Sequence, residues 1–433
     1  MKVGLEIHVY PRTSAKMFCM CFVRAEDANT SVCPRCTGQP GAKPMAPNRT
    51  AVEKAVVLAK ALGCKLEVRA TVLRKHYFYP DLPSNYQRTS TPIGREGSFL
   101  GVRIREVHVE EDAARYEPRD GTVDYNRAGV PLIEVVTEPD INSTDAAKNF
   151  VDEFSRLLHY LKIADPSSAI KADTNVSVGD TRVEVKNINT THGILAAIEH
   201  EAKRQTELLE RGGTLVQETR HWDETKGRTL ASREKETESD YRYMEDPDLQ
   251  PIDISSVRVA TPEDTFAARK RLERAGVARD AAVAVTEEQE FVALFDSLSK
   301  RFEPQRVAEW IRRDLRGELN HRTLTLEQSG VKTKDVERLM DDALSEKITR
   351  HKAKQLLREL LDKKESKHTT KASKEDVEKA VEATLLAHQD VVQRYREGKK
   401  EAFNFLLGET NRALGFAADP KEIAKVLKEK LNM

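Results

Sequence analysis

Two groups of residues near the N-terminus have the types and spacing to do chemistry. The first is a set of four thiols, Cys19-x-Cys21 and Cys33-x-x-Cys36. Two close pairs joined by a short loop form the ligand pattern of a tetrahedral thiolate zinc site. Such a site has no open coordination position, so its expected role is structural. The alternative is two packed apolar thiols and two incidental ones. The second group begins with Glu6 and His8 in "GLEIHV". Two residues apart on a strand, they share one face. Taken alone, the pair reads first as a surface acid beside a hydrogen-bonded imidazole. Further acids shift that balance. "HVEEDAARY" carries Glu110, Glu111 and Asp112, and Glu134 sits inside the apolar run "VPLIEVVTEPD". A lone carboxylate in such a run is costly unless it is paired or bound to a metal. Strand-borne acids with a histidine suit Mg²⁺, a hard ion that keeps few protein ligands and commonly holds phosphates.

No G-x-x-x-x-G-K-[ST] and no G-x-G-x-x-G occurs, so P-loop and Rossmann nucleotide sites are excluded. ATP would have to be held by the metal and by basic side chains. "LRKHYFYPDLPSNYQ" offers Arg74, Lys75 and Tyr79 for that task, or equally an aromatic loop that fills core. No nucleophile motif of the hydrolase kind is present, so neither glutaminase nor peptidase activity is expected.

These side chains need strands to hold them. "KVGLEIHVY" reads as a strand, and "FLGVRIREVHVEED" (99–112) alternates as a half-buried strand does. "VPLIEVVTEPD" reads as a buried strand stopped by Pro139. Helices are expected at 49–64, after the N-cap candidate Ser143, and in "HGILAAIEHEAKRQTELLERGG". Beyond residue 256 strand signals largely vanish. A helix capped by Thr261 and Pro262 and ended by Gly276 follows. The polar stretch "DKKESKHTTKASKED" reads as a linker, and the last helices are "KEDVEKAVEATLLAHQDVVQRYREG", "KKEAFNFLLGETNRAL" and "PKEIAKVLKEKL". The expected fold class is α+β. A β-rich cradle (1–256) precedes an all-helical domain (257–365) and a small helical tail (366–433).

The chain of 433 residues carries no net charge, so no global field draws it to nucleic acid or membrane. Any nucleic-acid contact must be a local patch. Arg394, Arg396, Lys399 and Lys400 form the densest basic cluster of the final helices. No apolar run approaches bilayer length and no signal peptide is visible, so no membrane role is expected. Five cysteines, four of them clustered, suit a reducing compartment, and the expected location is cytoplasmic.

Taken together, "GLEIHV", "KMFCMC", "VCPRCTGQPG", "RKHYFYPDLP", "HVEEDAARY", "VDYNRAGVPLIEVVTEPD", "VKNIN", "QETRHWDETKGRT" and "DYRYMEDPDL" resemble the signature blocks of the B subunits of tRNA-dependent amidotransferases. The blocks run in order through the first 256 residues, and the likeness resumes at "VVQRYREGKKEAFNFLLG". The resemblance implies conversion of Asp-tRNA(Asn) and Glu-tRNA(Gln) to the amidated forms. ATP and Mg²⁺ would activate the side-chain carboxylate as a phosphate, and ammonia would displace it. It implies an amidase-like A subunit that frees ammonia from glutamine, a small C subunit, and a tail that grips tRNA. On the family pattern, Glu6, His8, Glu110 and Glu134 are Mg²⁺ ligands, Lys75 is the basic residue near the phosphates, and the four cysteines hold structural Zn²⁺. Glu111 and Asp124 are candidates to relay protons. "RTSTPIG" and "KADTNVSV" depart from the pattern, which touches the expected nucleotide contacts. The related archaeal E subunit carries a large extra domain that this chain lacks. The competing readings are a zinc-stabilised tRNA-binding protein without chemistry and a free-standing ligase using free ammonia.

Overall fold

The computed structural model describes residues 1–164, 170–231, 241–260, 263–362 and 372–431, with the backbone alone at Lys400. The chain divides into two compact units, Met1–Thr265 and Phe266–Met433. In the first, the described elements are β1 (Lys2–Val9), α1 (Arg49–Ala61), β2 (Lys65–Leu66), β3 (Arg69–Ala70), β4 (Val72–His76), β5 (Tyr86–Ser90), β6 (Gly94–Phe99), β7 (Val102–Glu111), β8 (Arg115–Glu117) and β9 (Thr122–Asp124). They continue with β10 (Pro131–Thr137), α2 (Thr144–Tyr160), β11 (Lys171–Ser177), β12 (Val183–Lys186), α3 (Thr191–Glu210), β13 (Glu218–Asp223), β14 (Arg228–Ala231), β15 (Met244–Glu245) and β16 (Ile252–Asp253).

The main sheet has the order β14-β13-β12-β11-β1-β10-β7-β5-β4-β15, with β2 and β6 joined through β7. Neighbours pair antiparallel except β12 and β13, which are parallel. Leu5, Ile7, Val9, Val107, Val109, Ile133, Val135, Ala172 and Val185 are buried on one face of the central strands. Alternation therefore sends Glu6, His8, His108, Glu110 and Glu134 to the other face. Helices supply the apolar cover. Phe150 and Phe154 of α2 stack 5.9 Å apart and meet Phe99 edge-on. Each fully buried side chain of this size contributes about 1.5–3 kcal/mol, so the core fixes which face stays open. Asn48 caps α1 by accepting from Ala51 N at 3.2 Å, and Ser143 caps α2 from Ala146 N at 3.1 Å.

One expected strand is two. Phe99 ends β6 and Val102 starts β7, with Leu100 and Gly101 at φ +55° and +81° between them. Two residues in the left-handed region make a tight hairpin turn, and a leucine there is a weak sequence signal.

The second unit is helical from α4 (Thr265–Arg274) onward; Thr261 and Pro262 lie outside the described residues. Gly276, at φ +89°, ends that helix as expected. There follow α5 (Arg279–Val285), α6 (Gln289–Leu298), α7 (Pro304–Trp310), α8 (Arg316–His321), α9 (Leu326–Ser329), α10 (Thr333–Leu344), α11 (Arg350–Leu361), α12 (Lys374–Ala387), α13 (Gln389–Arg396), α14 (Lys400–Ala413) and α15 (Pro420–Leu431). Most of the expected linker, 363–371, lies outside the described residues. The last four helices share a core of Val377, Val381, Val391, Leu406, Ile423 and Leu427. The stretch expected as one helix breaks at His388, whose ψ of 50° leaves the helical region. The break turns Val391 into the same core as Val377 and Val381. Among the described residues, no helix is long and apolar enough to cross a membrane.

Candidate active site and metal centre

The open face of the central sheet is ionic. Register builds two rungs across it: His108, Glu134, His8 and Lys171 in one, and Glu106, Val136, Glu6 and Asp173 in the next. His8 Nε2 stands 3.4 Å from Glu110 Oε1 and 3.9 Å from Glu134 Oε1. His108 Nδ1 donates to Ser90 O at 2.9 Å, and its Nε2 lies 3.0 Å from Glu106 Oε2. Glu6 belongs to another group. Its Oε1 accepts from Asn175 Nδ2 at 3.0 Å, and it clusters with Asp173 and Glu184, their ligand oxygens all within 4.8 Å of one another. Lys186 Nζ bridges the latter two at 3.1 and 2.9 Å. Of the four expected Mg²⁺ ligands, Glu110 and Glu134 each approach His8, while Glu6 stands with Asp173 and Glu184, the acidic group among the described residues whose ligand oxygens all lie close enough together for one ion.

Burial opposes a charge on His8, but the Glu110 hydrogen bond and the charges of Glu110, Glu134 and Asp173 raise it to about 10. Burial likewise pushes Glu110 up, and His8, Lys75 and His108 together hold it below the ordinary carboxylate range. Glu134 is raised by burial and by the Glu110 charge. Two carboxylates and one imidazole thus share a positive charge. Neighbouring ligands of an octahedral ion at about 2.1 Å stand about 3 Å apart, so the His8–Glu110 spacing fits a divalent ion in place of that proton.

Lys75 lies on β4 beside this set. Its Nζ is 4.5 Å from the Tyr241 ring centre and 5.9 Å from that of Tyr77, and its charge is among those that lower Glu110. Arg74 is engaged elsewhere. Its Nε donates to Asp246 Oδ2 at 2.9 Å and its guanidinium lies 4.7 Å over the Tyr86 ring. Arg88 takes the same carboxylate oxygen at 2.8 Å, pairs with Glu111 at 3.2 Å, and stacks on Tyr86 from 5.0 Å. Tyr79 is half exposed and meets Tyr116 edge-on at 6.3 Å. Asp124 accepts from the backbone of Asn29 and Asn126, both at 3.0 Å.

Cys19, Cys21, Cys33 and Cys36 bring their sulfurs within 4.8 Å of one another, and those of Cys33 and Cys36 are 3.9 Å apart. A tetrahedron with sulfur about 2.3 Å from zinc has edges of about 3.8 Å. Cys33 N also donates to Cys36 Sγ at 3.2 Å, which holds the second pair in a ligating turn. The donor set fits a structural thiolate metal. Cys36 is pulled down to about 4, first by the Cys19 hydrogen bond, against burial, and then by the Cys33 backbone and the Lys16 charge.

At the corner of α13 and α14, Arg394, Arg396 and Lys399 are exposed, and Lys400 begins α14. Sequence reasoning missed Lys16, Arg88, His108, Asp173, Lys186 and Asp246. For His108 a signal existed, since Glu106, His108 and Glu110 recur at even spacing. Asp246 had none, because the residues it grips lie more than 150 positions away.

Two family models match the chain: the GatB/GatE catalytic domain over residues 1–260 and the GatB domain over residues 293–431. Among similar proteins, one from Methanocaldococcus jannaschii is 40% identical over 464 residues, covering 100% of this chain and 98% of that protein. One from Methanothermobacter thermautotrophicus is 40% identical, covering all of both chains. One from Methanopyrus kandleri is 38% identical, covering 100% of this chain and 99% of that protein. Each is named as the B subunit of aspartyl/glutamyl-tRNA(Asn/Gln) amidotransferase.

Proposed function

The chain belongs to the B-subunit family of aspartyl/glutamyl-tRNA(Asn/Gln) amidotransferases, and from that membership we propose that its sheet activates the side-chain carboxylate of Asp-tRNA(Asn) and Glu-tRNA(Gln). The observation that carries this reading is the approach of Glu110 and Glu134 to His8, with the Lys75 charge acting on Glu110. A carboxylate is a poor electrophile until one oxygen becomes a leaving group. A Mg²⁺ held by His8, Glu110 and Glu134 would neutralise charge during phosphoryl transfer from ATP. Lys75, held between two aromatic rings, presents its ammonium to a phosphate or to the carboxylate being activated. Arg74 serves through its grip on Asp246, which fixes β15 against β4 and so holds Tyr241 over Lys75. Glu6, with Asp173 and Glu184, borders the same open face and faces any bound cation from the second rung. Tyr79 lies on the loop that follows Lys75, where it would flank the nucleotide. Glu111 and Asp124 keep their place as candidate proton relays.

The partners follow from chemistry this chain lacks. An activated acyl phosphate needs ammonia delivered away from water, and no glutaminase motif is present here. An amidase-like A subunit and a small C subunit would supply and hold that source. The cysteine site would pin its loop with Zn²⁺. The setting would be cytoplasmic, where aminoacyl-tRNAs are made.

The test uses the full chain with both partner subunits, ATP and Mg²⁺. Wild type should split ATP in step with amidation of Asp-tRNA(Asn) or Glu-tRNA(Gln). Lys75→Met should lower the rate of aminoacyl-phosphate formation at least tenfold, while the partner still hydrolyses glutamine. Undiminished ATP-dependent amidation by Lys75→Met would sink the assignment of Lys75. Amidation that needs no ATP would sink the reading as a whole.

A further inference from the structure

Lys16 is a charged side chain in a place where the proposed chemistry makes no use of it. It is 1% exposed. Its ammonium donates to Cys36 Sγ at 3.5 Å and to the Tyr125 carbonyl at 3.0 Å. Among the described residues, no carboxylate lies within ion-pairing distance of it. A buried ammonium without a counter-charge is strongly destabilising. The peptide carbonyl supplies no such charge, so the compensation must come from the sulfur that Lys16 faces. Four thiolates around a divalent ion supply it, because they leave two net negative charges on the centre.

We propose that Lys16 is the internal counter-ion of a tetrathiolate metal centre, donating an N–H···S hydrogen bond to Cys36 and removing half of the centre's net charge. This rests on the reading of the four cysteines as a zinc site. A charged donor draws electron density from the sulfur. The thiolate then exchanges its metal, protonates and alkylates more slowly, as outer partners of metal ligands generally tune their site. The same ammonium ties the centre to the loop after β9. Met17 N donates to Gly129 O at 2.7 Å, and Gly129 N donates to Asp112 O at 2.9 Å. Gly129 lies at φ +81°, and a Cβ there would stand 3.6 Å from Cys36 Cβ and 3.7 Å from Lys16 Cδ. The centre is therefore braced against the end of the strand that carries Glu110 and Glu111.

The experiment compares the full-length chain with Lys16→Met, which keeps the length and removes both charge and donor. Zinc per chain is measured first, then zinc release to a chromogenic chelator, then the thiolate-to-metal absorption bands after cobalt substitution. Wild type should hold about one zinc. Lys16→Met should release it about ten- to a hundredfold faster, with the cobalt bands moved to lower energy. Stripping the metal should cost Lys16→Met less melting temperature than it costs wild type, because wild type also loses the partner of a buried charge. A residue that only fills space would give additive losses. If Lys16→Met does not fold, Lys16→Arg should release zinc at close to the wild-type rate and Lys16→Gln faster. Wild-type chain without zinc overturns the metal reading and this proposal with it. A zinc-loaded wild type whose release rate and cobalt bands match those of Lys16→Met, or equal rates in the Arg and Gln variants, overturns this proposal alone.

Discussion

His8 is held by two acids on two different strands, and each acid is costly without a positive partner. Removing one acid therefore tests the set more cleanly than removing the imidazole. Glu134→Gln keeps shape and hydrogen-bonding reach, and it removes one of the two charges that face His8 at 3.4 and 3.9 Å. We expect aminoacyl-phosphate formation to fall by about a hundredfold or more, roughly 3 kcal/mol in the barrier, with tRNA binding retained. Glu6→Gln is the matched comparison. Glu6 sits among Asp173, Glu184 and Lys186, so its loss should reduce the rate less than that of Glu134 at saturating Mg²⁺. Equal losses in the two variants would mean that one ion draws on all four residues and that the two groups act as one. The residue types of this site were legible in the sequence: Glu6, His8, Glu110 and Glu134 all stand on the open face. Their partition into two sets was not. It depends on strand register, which couples β1 to positions more than 100 residues away.

Strand ends and short connecting segments decide where these side chains point. β15 is two residues long and stays on β4 through few hydrogen bonds of its own, so the buried Asp246 does much of the holding. Asp246 accepts from Arg74 through both oxygens, at 2.9 and 3.1 Å, and from Arg88 through one of them, at 2.8 Å. Asp246→Asn leaves two guanidiniums facing a neutral amide, and breaking a buried pair in this way costs about 3–5 kcal/mol. The pH dependence has a definite sign. Burial pushes Asp246 up, but the bonds from Arg74, from the Asp248 backbone and from Arg88 hold it below the ordinary carboxylate range. Its stabilising charge is thus complete above about pH 4 and is lost as pH falls through the lowered value. Thermal melts from pH 7 down to 2 should show an acid-dependent loss of stability in wild type that is smaller in Asp246→Asn. Identical acid limbs would remove Asp246 from this role. Long elements were legible from apolar period and caps, as Ser143 and Gly276 show. The Leu100–Gly101 turn and the break at His388 were not, because a leucine takes the first left-handed position of the turn and a histidine stands at the break. Both are set by what the flanking residues bury.

At the scale of the whole chain, the absence of net charge means that RNA affinity must come from where basic residues gather. The proposed place is the α13–α14 corner, part of a four-helix group with its own core. Arg394, Arg396 and Lys399 are exposed there without carboxylate partners among the described residues, so replacing them disturbs no packing. Each phosphate neutralised contributes somewhat less than one unit to the slope of log affinity against log salt. Changing Arg394, Arg396 and Lys399 together to Gln should therefore raise the KM for aminoacyl-tRNA about tenfold or more and flatten that slope by about two units. The KM for ATP and the melting temperature should stay near wild type, because these side chains enter no core and the proposed ATP site belongs to the other unit. A triple variant with unchanged tRNA affinity and salt slope would place the RNA contact elsewhere on the molecule.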